Sequence, residues 1–120
     1  MPRTALVVDD AGIVRQVCTM ALRREGYEVI EAVDGKDALV KIEGKGLDLV
    51  VTDINMPEMD GIELIKQLRL RHEFRFVPII VLSTLSQKHK VQEGKDAGAT
   101  GWVFKPFDAN KLLAAVRRLV

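Results

Sequence analysis

The feature that most constrains the fold of this 120-residue chain is its regular alternation between short apolar runs and segments with helical periodicity. Each of the five runs is four or five residues long, the length of a buried strand. The runs cover residues 5–8, 27–30, 47–51, 78–82 and 101–104. Strands that alternate with helices form a parallel sheet with helices on both faces, joined by right-handed crossovers. We therefore expect an α/β domain of three layers.

The segments between the runs carry apolar residues at the spacing of a helix face. These residues are Val14, Val17, Cys18 and Ala21 in the first segment, Ala38, Leu39 and Ile42 in the second, Ile62, Ile65 and Leu68 in the third, and Leu112, Val116 and Leu119 in the last. Asp34, Asp60 and Asp108 are the expected N-caps of the second, third and last helices, because Asp accepts the free backbone N–H groups there. Glu63 follows Asp60 at the spacing of a capping box.

The fourth helical segment, residues 87–97, is the weakest, because Gly94 interrupts it and most other positions are charged or polar. We expect a marginal helix there, and low local stability suits an element that moves. The connection before the fourth strand, residues 72–76, is expected to be a polar loop. Next to it lies a local excess of basic side chains, which we expect to be a solvated surface. These side chains are Arg69, Arg71, His72 and Arg75.

Composition limits the class of protein. Apolar residues make up 48% and charged residues 29%, as in a single folded domain over residues 1–120. Basic residues are scattered among acids, so no direct contact with nucleic acid is expected.

Cys18 is the only cysteine, so an internal disulfide is excluded, which fits a cytoplasmic setting. We expect Cys18 to be a small core residue, because free cysteines are commonly buried. No apolar run suits a membrane span or a signal peptide. His72 and His89 have no partner at metal-ligand spacing and should be exposed.

Polar residues that follow four of the runs indicate a site, because open parallel sheets bind ligands beyond the carboxyl ends of their strands. They are Asp9 and Asp10 after the first run, Asp53 after the third, Ser83 and Thr84 after the fourth, and Lys105 and Pro106 after the fifth. Each alone has an ordinary explanation, such as a helix cap, a turn or a strand end. Their occurrence together at one sheet edge is what points to function.

The charges of this set predict a divalent cation. Two carboxylates 4 Å apart repel by about 4 kcal/mol at an effective dielectric constant of 20. Lys105 supplies one positive charge against three acids, and a metal would supply the rest. Hard oxygen ligands select Mg²⁺, Mn²⁺ or Ca²⁺ over zinc. A carboxylate beside Mg²⁺ can attack phosphorus and form an aspartyl phosphate.

With these residues identified, the chain resembles the receiver domains of two-component response regulators over essentially its whole length. The resemblance rests on residues 7–10, residues 53–57 with Gly61 beyond them, Ser83, and residues 105–107. It implies a flavodoxin-like (βα)5 fold with a parallel five-stranded sheet in the order 2-1-3-4-5, an order known from chemotaxis receivers.

The resemblance also implies the role of each site residue. Asp53 would accept phosphate from a histidine kinase, a phosphotransfer protein or a small phosphodonor. Mg²⁺ or Mn²⁺ would be held by the side chains of Asp10 and Asp53, by the backbone carbonyl of Asn55, and by Asp9 through water. Lys105 would pair with Asp53 or its phosphate. The remaining expectations are a Ser83 hydroxyl turned toward the phosphate, Trp102 at the aromatic switch position, and a cis peptide bond from Lys105 to Pro106.

Two departures from the family pattern carry expectations of their own. Trp102 is larger than the usual Tyr or Phe, so an inward rotamer is expected to be hard to fit. Thr84 replaces a smaller residue and is expected to cover the phosphate partly and slow its hydrolysis. The expected partner surface is formed by the fourth helix, the fifth strand and the last helix, with Lys88, Lys90, Lys95, Trp102 and Lys111.

Several functions stay open from the residues alone. The leading one is a phosphoacceptor that is not an enzyme, a stand-alone regulator of the chemotaxis type, either a monomer or a phosphorylation-dependent dimer. The same residues would suit a receiver from a longer DNA-binding or enzymatic regulator. A Mg²⁺-dependent aspartyl phosphatase usually has a second acid two residues after its nucleophile, where this chain has Asn55. An interaction module that never takes phosphate is the last alternative.

Overall fold

The computed structural model describes residues 2–120, in which five parallel strands alternate with five α-helices. The strands are β1 (Arg3–Val8), β2 (Tyr27–Ala32), β3 (Leu49–Asp53), β4 (Ile79–Thr84) and β5 (Gly101–Lys105). The helices are α1 (Gly12–Arg24), α2 (Gly35–Lys41), α3 (Gly61–Leu70), α4 (Val91–Ala97) and α5 (Ala109–Leu119). The sheet order is β2-β1-β3-β4-β5, which confirms the expected fold class and strand order.

The sheet separates two apolar cores, because successive side chains of a strand point to opposite faces. In β1, Leu6 and Val8 pack into one core, whereas Ala5 and Val7 pack into the other. Helices α2 and α3 cover the first core, with Ala97 of α4 at its margin, and α1 and α5 cover the second. Within residues 2–120, no helix is both long enough and apolar enough to cross a membrane.

Three of the helices begin at the expected Asp residues. The side chains of Asp34, Asp60 and Asp108 accept backbone N–H groups three residues ahead, at 2.8, 2.9 and 2.9 Å. The capping-box spacing at Glu63 gives a different contact, because its carboxylate accepts from Gln67 at 3.1 Å. The aspartate caps therefore fix the N-termini of α2, α3 and α5.

The fourth helical segment differs from the expected single helix over residues 87–97. A 3₁₀ helix covers Leu85–Lys90, and the α-helix begins only at Val91. The side chain of Gln87 accepts from the backbone N–H of Thr84 at 2.9 Å, which holds the tight first turn. Gly94 is the only buried residue of α4, so little apolar packing is available to hold a longer helix.

The expectation of a polar loop at residues 72–76 was incomplete. A 3₁₀ turn covers His72–Phe74, and Phe74 is buried in the first core. The expectation of a purely solvated basic surface was wrong for Arg69, because its half-buried guanidinium donates to the backbone carbonyls of Phe74, Arg75 and Gly98. Sequence spacing does not bring the carbonyl of Gly98, which lies well beyond β4, near Arg69.

Single-residue expectations about burial were confirmed. Cys18 is fully buried between α1 and the sheet, whereas His72 and His89 are exposed.

Candidate functional site

Three carboxylates meet at the carboxyl edge of the sheet. Val8 pairs with Thr52 across β1 and β3, so the next residues, Asp9 and Asp53, lie side by side. One oxygen from each of Asp9, Asp10 and Asp53 lies within 4.8 Å of the others. Asp9 and Asp53 are buried, whereas Asp10 is exposed. The structure therefore brings together the acids that the sequence placed at this edge.

The ammonium group of Lys105 bridges two of these acids. Its Nζ lies 3.0 Å from Oδ1 of Asp53 and 3.3 Å from Oδ2 of Asp9. The family resemblance implies a pair with Asp53 or its phosphate, and the contact with Asp9 is additional. Lys105 is the last residue of β5, and it pairs with Thr84, the last residue of β4. The peptide bond from Lys105 to Pro106 is cis, as expected.

Three of the expected site residues end strands rather than follow them. Asp53, Thr84 and Lys105 are the last residues of β3, β4 and β5, and Ser83 lies one residue earlier in β4. The third strand also begins two positions later than its apolar run, at Leu49. Backbone pairing within the sheet therefore fixes the positions of these side chains more firmly than a loop would.

Burial and charge shift the pKa values of this cluster. Burial raises the pKa of the Asp53 carboxyl, and the neighbouring Asp9 raises it further, although Lys105 opposes both effects. Burial also raises the pKa of Asp9, against the hydrogen bonds that it receives from Ala11 and Lys105. Burial alone would lower the pKa of Lys105, but its contacts with Asp53 and Asp9 outweigh burial and raise it. The cluster thus has an excess of negative charge that one ammonium does not balance.

Backbone contacts hold the two buried acids in place. Oδ1 of Asp9 accepts from the N–H of Ala11 at 2.9 Å, and Oδ1 of Asp53 accepts from the N–H of Ile54 at 3.0 Å. The start of α3 lies against the carbonyl of Asp53, because a Cβ on Gly61 would lie 2.2 Å from that oxygen. Gly61 is therefore required for the close approach of α3 to the site.

The hydroxyl of Ser83 is buried and bound to Trp102. Nε1 of the indole donates to Oγ of Ser83 at 2.7 Å. The expectation that an inward Trp102 would be hard to fit was wrong. Gly94 supplies the space, because the indole lies where a Cβ on that residue would be.

The other expected residues occupy the rim of the site or a different surface. Asn55 is exposed in the loop after β3, and the Thr84 side chain exchanges a 2.7 Å hydrogen bond with Ser86. Two residues of the expected partner surface, Lys88 and Lys90, lie on the 3₁₀ helix and not on α4. The other three, Lys95, Trp102 and Lys111, lie on α4, β5 and α5.

Sequence reasoning missed Arg15 and an apolar cavity. Nη1 of Arg15 donates to the carbonyl of Asp9 at 2.8 Å, and its Nε lies 3.4 Å from Glu31. No local pattern marks this arginine.

An open apolar cavity of about 380 Å³ adjoins Lys105. Its lining residues are Ile13, Val14, Val17, Thr84, Lys105, Pro106 and Phe107.

The donor set suits a hard divalent cation. All three clustered side chains offer carboxylate oxygens, which Mg²⁺ and Mn²⁺ prefer to nitrogen or sulfur ligands. Burial is the main cause of the raised pKa values of Asp9 and Asp53, and a neighbouring carboxylate adds to each shift. A bound cation would favour the ionised form of both groups.

Comparison with known proteins points the same way. The family model for the response regulator receiver domain matches residues 5–117. The chain is 36% identical over 121 aligned residues to the transcriptional regulatory protein PdtaR of Mycobacterium tuberculosis, covering all of this chain and 58% of PdtaR. It is 37% identical over 120 residues to the alkaline phosphatase synthesis transcriptional regulatory protein PhoP of Bacillus subtilis, covering 49% of PhoP. The chain spans about half the length of these curated relatives.

Two solved structures are similar over the whole chain. The chemotaxis response regulator CheY4 of Vibrio cholerae superposes with a TM-score of 0.93 at 40% identity, covering 100% of both chains. The receiver domain of the sensor histidine kinase PA1611 of Pseudomonas aeruginosa superposes with a TM-score of 0.88 at 27% identity, covering 99% of this chain and 98% of that one. The PA1611 domain was solved with a magnesium ion coordinated in its active site cleft.

Proposed function

Because the chain belongs to the response regulator receiver family of two-component systems, we propose that it is a phosphoacceptor whose Asp53 takes a phosphoryl group from a histidine kinase or a phosphotransfer protein. The single observation that carries this proposal is the Lys105 ammonium, bound at 3.0 Å to Asp53 and at 3.3 Å to Asp9 within a cluster of three carboxylates. A buried carboxylate in such a setting is suited to nucleophilic attack on phosphorus.

The proposed cation site consists of the side chains of Asp10 and Asp53, the backbone carbonyl of Asn55, and Asp9 through water. Mg²⁺ is the proposed ion, and Mn²⁺ satisfies the same ligands. When bound, it would supply positive charge to the oxygens of the transferring group. The carboxylate cluster and the magnesium-bound PA1611 domain support this assignment.

The protein's own groups have distinct parts in the proposed transfer. Oδ1 of Asp53 accepts hydrogen bonds from Lys105 and from the Ile54 N–H. That leaves Oδ2 as the oxygen proposed to form the new bond to phosphorus. The phosphorus–nitrogen bond of the donor breaks, and its electron pair leaves with the imidazole. Lys105 and the Ser83 hydroxyl would bind oxygens of the phosphoryl group and stabilise its charge.

The phosphodonor is proposed to contact the apolar cavity beside Lys105, because this cavity opens next to the reacting carboxylate. Ile13, at 79% exposure, presents the largest apolar surface there. We expect Ile13→Asp to slow phosphorylation by a partner kinase without changing the rate from a small phosphodonor. Val40→Asp is the matched control, because Val40 is 73% exposed on α2, outside the cavity lining. Equal rates for Ile13→Asp and wild type with the kinase would contradict this docking site.

Phosphorylation is proposed to shift the surface of α4, β5 and α5 toward a state that binds a downstream protein. A groove of about 310 Å³ between β5 and α5, with Lys111 and Arg118 at its rim, lies on this surface. The similarity to the chemotaxis response regulator CheY4 supports a regulator of the chemotaxis type. The similarity to PdtaR and PhoP supports the alternative of a receiver within a longer regulator. The proposed assembly is a monomer or a phosphorylation-dependent dimer, acting in the cytoplasm.

The function is tested by titrating Mg²⁺ and beryllium fluoride, a phosphoryl mimic, while recording Trp102 fluorescence. Because Trp102 is the only tryptophan and binds Ser83, its emission should change with saturable dependence on both reagents. Asp53→Asn is the control that should abolish the response. Wild-type protein that binds neither reagent would refute the phosphoacceptor proposal.

Two further assays distinguish a phosphoacceptor from an enzyme. We propose that the protein does not turn over phosphate esters, because Asn55 occupies the position of a second acid, so a multiple-turnover assay with a generic ester should show no product. Thr84 is proposed to shield the phosphoryl group, since it lines the cavity beside Lys105. Thr84→Ala should then lose phosphate faster than wild type, and an unchanged rate would contradict this role.

A further inference from the structure

The side chain of Arg15 in α1 folds back to the start of its helix and binds the backbone beside the acidic cluster. Its Nη1 donates to the carbonyl oxygen of Asp9 at 2.8 Å, and its Nε lies 3.4 Å from Oε1 of Glu31 in β2. The Arg15 side chain is only 22% exposed. The guanidinium therefore links α1 and β2 to the peptide that joins two of the clustered acids, Asp9 and Asp10.

The carbonyl of this peptide has Arg15 as its partner. β1 ends at Val8, and within residues 2–120 the donor to the Asp9 carbonyl oxygen is the guanidinium of Arg15. The N–H of Asp9 donates to the carbonyl of Ala32 at 3.2 Å. Because a peptide unit is planar, a hydrogen bond to the Asp9 carbonyl also fixes the direction in which the chain enters Asp10. Arg15 thus sets the backbone orientation of Asp10.

Asp10 depends on its backbone more than the other two acids do. Asp9 and Asp53 are buried and share one ammonium, whereas Asp10 is exposed and no ion pair within residues 2–120 includes it. The peptide that follows Asp10 is already held, since the N–H of Ala11 donates to Oδ1 of Asp9 at 2.9 Å. With Arg15 on the preceding peptide, both peptide units that flank Asp10 are fixed.

The charge of Arg15 by itself works against a nearby cation site, because a fixed positive charge repels a divalent ion. Glu31 compensates this charge from 3.4 Å, but its side chain is 40% exposed, and such a pair contributes little to the stability of the fold. The hydrogen bond to the Asp9 carbonyl is the contact that can favour binding of the ion. Groups that orient the ligands of a metal commonly change its affinity by about 10–100-fold when they are removed.

We propose that Arg15 is a positioning residue of the cation site: anchored by Glu31, it fixes the peptide between Asp9 and Asp10 and thereby directs the Asp10 carboxylate toward the ion. This inference rests on the proposed function, and specifically on its cation site. A planar guanidinium can donate to the carbonyl and to the carboxylate with two N–H groups in fixed geometry, which a single ammonium cannot do. An arginine is therefore better suited to this position than a lysine.

The role is tested with Mn²⁺, whose free concentration is measured by electron paramagnetic resonance. We expect Arg15→Met to bind Mn²⁺ about ten-fold more weakly than wild-type protein. The sign is decisive, because loss of a positive charge alone would strengthen the binding of a cation. Arg23→Met is the matched control, since it removes the same charge from an exposed position of the same helix. Arg15→Met that binds Mn²⁺ as tightly as Arg23→Met, or more tightly, would overturn the proposal.

Two further variants separate geometry from charge. Arg15→Lys keeps the charge but loses the planar pair of donors, so its Mn²⁺ affinity should fall by about five-fold, and wild-type affinity would overturn the proposal. Glu31→Ala should weaken binding by about three-fold in wild-type protein and cause no further loss in Arg15→Met, because the group that it anchors is already gone. Equal losses in the two backgrounds would show that Glu31 acts by its own charge, and would overturn its assignment as the anchor.

The orientation of the peptide is measured from the amide resonance of Asp10 by NMR, in EDTA. The Asp10 N–H belongs to the peptide whose carbonyl Arg15 binds, so this resonance should shift in Arg15→Met and not in Arg23→Met. An unshifted Asp10 resonance in Arg15→Met would overturn the proposal before any metal is added. If Arg15→Met does not fold, Arg15→Lys serves as the test variant with the same expectations.

The possible failures can be told apart. Wild-type protein that binds no Mn²⁺ refutes the cation site and this inference with it. Wild-type binding together with unchanged affinity in Arg15→Met refutes only the role of Arg15. Wild-type protein that binds Mn²⁺ but not beryllium fluoride refutes the phosphoacceptor proposal alone, because the comparison of the Arg15 variants needs only the ion.

Discussion

Replacing Asp53 with Asn should make the protein more stable when no divalent cation is present. The substitution removes one charge from a cluster of three carboxylates but keeps an Oδ1 that can accept from the Ile54 N–H. It also removes the ion pair with Lys105, so the sign depends on which charge interaction is larger. If the site is built for function at a cost to stability, the repulsion together with the burial of charge should outweigh the ion pair.

The distances give the magnitude. At an effective dielectric constant of 20, the 3.0 Å contact with Lys105 is worth about 5.5 kcal/mol. Repulsion from Asp9, at no more than 4.8 Å, is at least about 3.5 kcal/mol, and exposure of Asp10 reduces its contribution to about half of that. The charge interactions therefore nearly cancel. Burial of the Asp53 carboxylate, whose side chain is 7% exposed, then decides the sign. We expect Asp53→Asn to raise the free energy of unfolding by about 1–2 kcal/mol.

The pH dependence checks the cause. Because burial and Asp9 raise the pKa of Asp53 in the folded protein, the folded state binds this proton more tightly than the unfolded state does. Its ionised form therefore costs stability as the pH rises above the ordinary carboxyl range, and the cost disappears where Asp53 is protonated. The advantage of the Asn variant should accordingly be largest near neutral pH and shrink toward pH 4.

Urea unfolding in EDTA, at several pH values, measures these differences. Asp108→Asn is the matched control, because Oδ1 of Asp108 also accepts a backbone N–H, at 2.9 Å, and Asn caps a helix as well as Asp does. Addition of Mg²⁺ should stabilise wild-type protein more than the Asp53 variant. An Asp53→Asn variant that is less stable than wild type in EDTA, or indistinguishable from Asp108→Asn, would refute the reasoning.

Other parts of the structure give three shorter predictions. Lys105→Met leaves Asp9 and Asp53 buried without their shared counter-ion, so urea unfolding in EDTA should show a free energy of unfolding lower by about 2–4 kcal/mol. Mg²⁺ should restore part of this stability, and a loss that Mg²⁺ does not change would argue against a cation at this site. Burial raises the pKa of Cys18 to about 12, so a thiol reagent at pH 8 should modify it only after unfolding, and rapid modification of the native protein would contradict its core position. Arg69→Gln removes the guanidinium hydrogen bonds to the Gly98 carbonyl at 2.7 and 3.2 Å, so it should lower the free energy of unfolding by about 2 kcal/mol and speed amide exchange in α4. Unchanged amide exchange in α4 would show that this contact does not stabilise the helix.

The sheet and the acidic cluster were predictable because both follow from short-range patterns. Apolar runs identify strands, the alternation of strands and helices makes them parallel, and parallel strands end at one edge. Asp9 and Asp53 had to meet once β1 and β3 were neighbours, whereas Lys105 reaches them from β5, beyond β4. The strand order itself came from the family resemblance. The register that sets Val8 opposite Thr52 then places the two acids side by side.

The contacts that were not predictable have no signal in the local sequence. In the sequence, Arg69 is one of several basic residues close together. Only the folded chain shows that its guanidinium donates to the carbonyl of Gly98. In the sequence, Trp102 is only a bulky residue and Gly94 only a helix breaker, and no local pattern indicates that Gly94 leaves space for the indole. The split of the fourth helical segment depends on the Gln87 side chain accepting from Thr84, a choice that propensity alone does not decide.

The position of the weakest helix next to the densest charge has a physical consequence for the proposed switch. A phosphoryl group on Asp53 would add about −1.5 to −2 charge to a site that already holds more acid than its one ammonium balances. Lys105 is shared between two carboxylates, so Ser83 is the neighbouring donor whose proton is uncommitted. Its attraction toward the new charge would act on the indole that is bound to it and that lies against α4. Because α4 buries only Gly94, its displacement opposes that attraction weakly. A change in the ratio of active to inactive state from 1:99 to 99:1 needs about 5.5 kcal/mol of differential stabilisation. A few charge-assisted hydrogen bonds can supply this free energy only when the element they move is as weakly packed as α4.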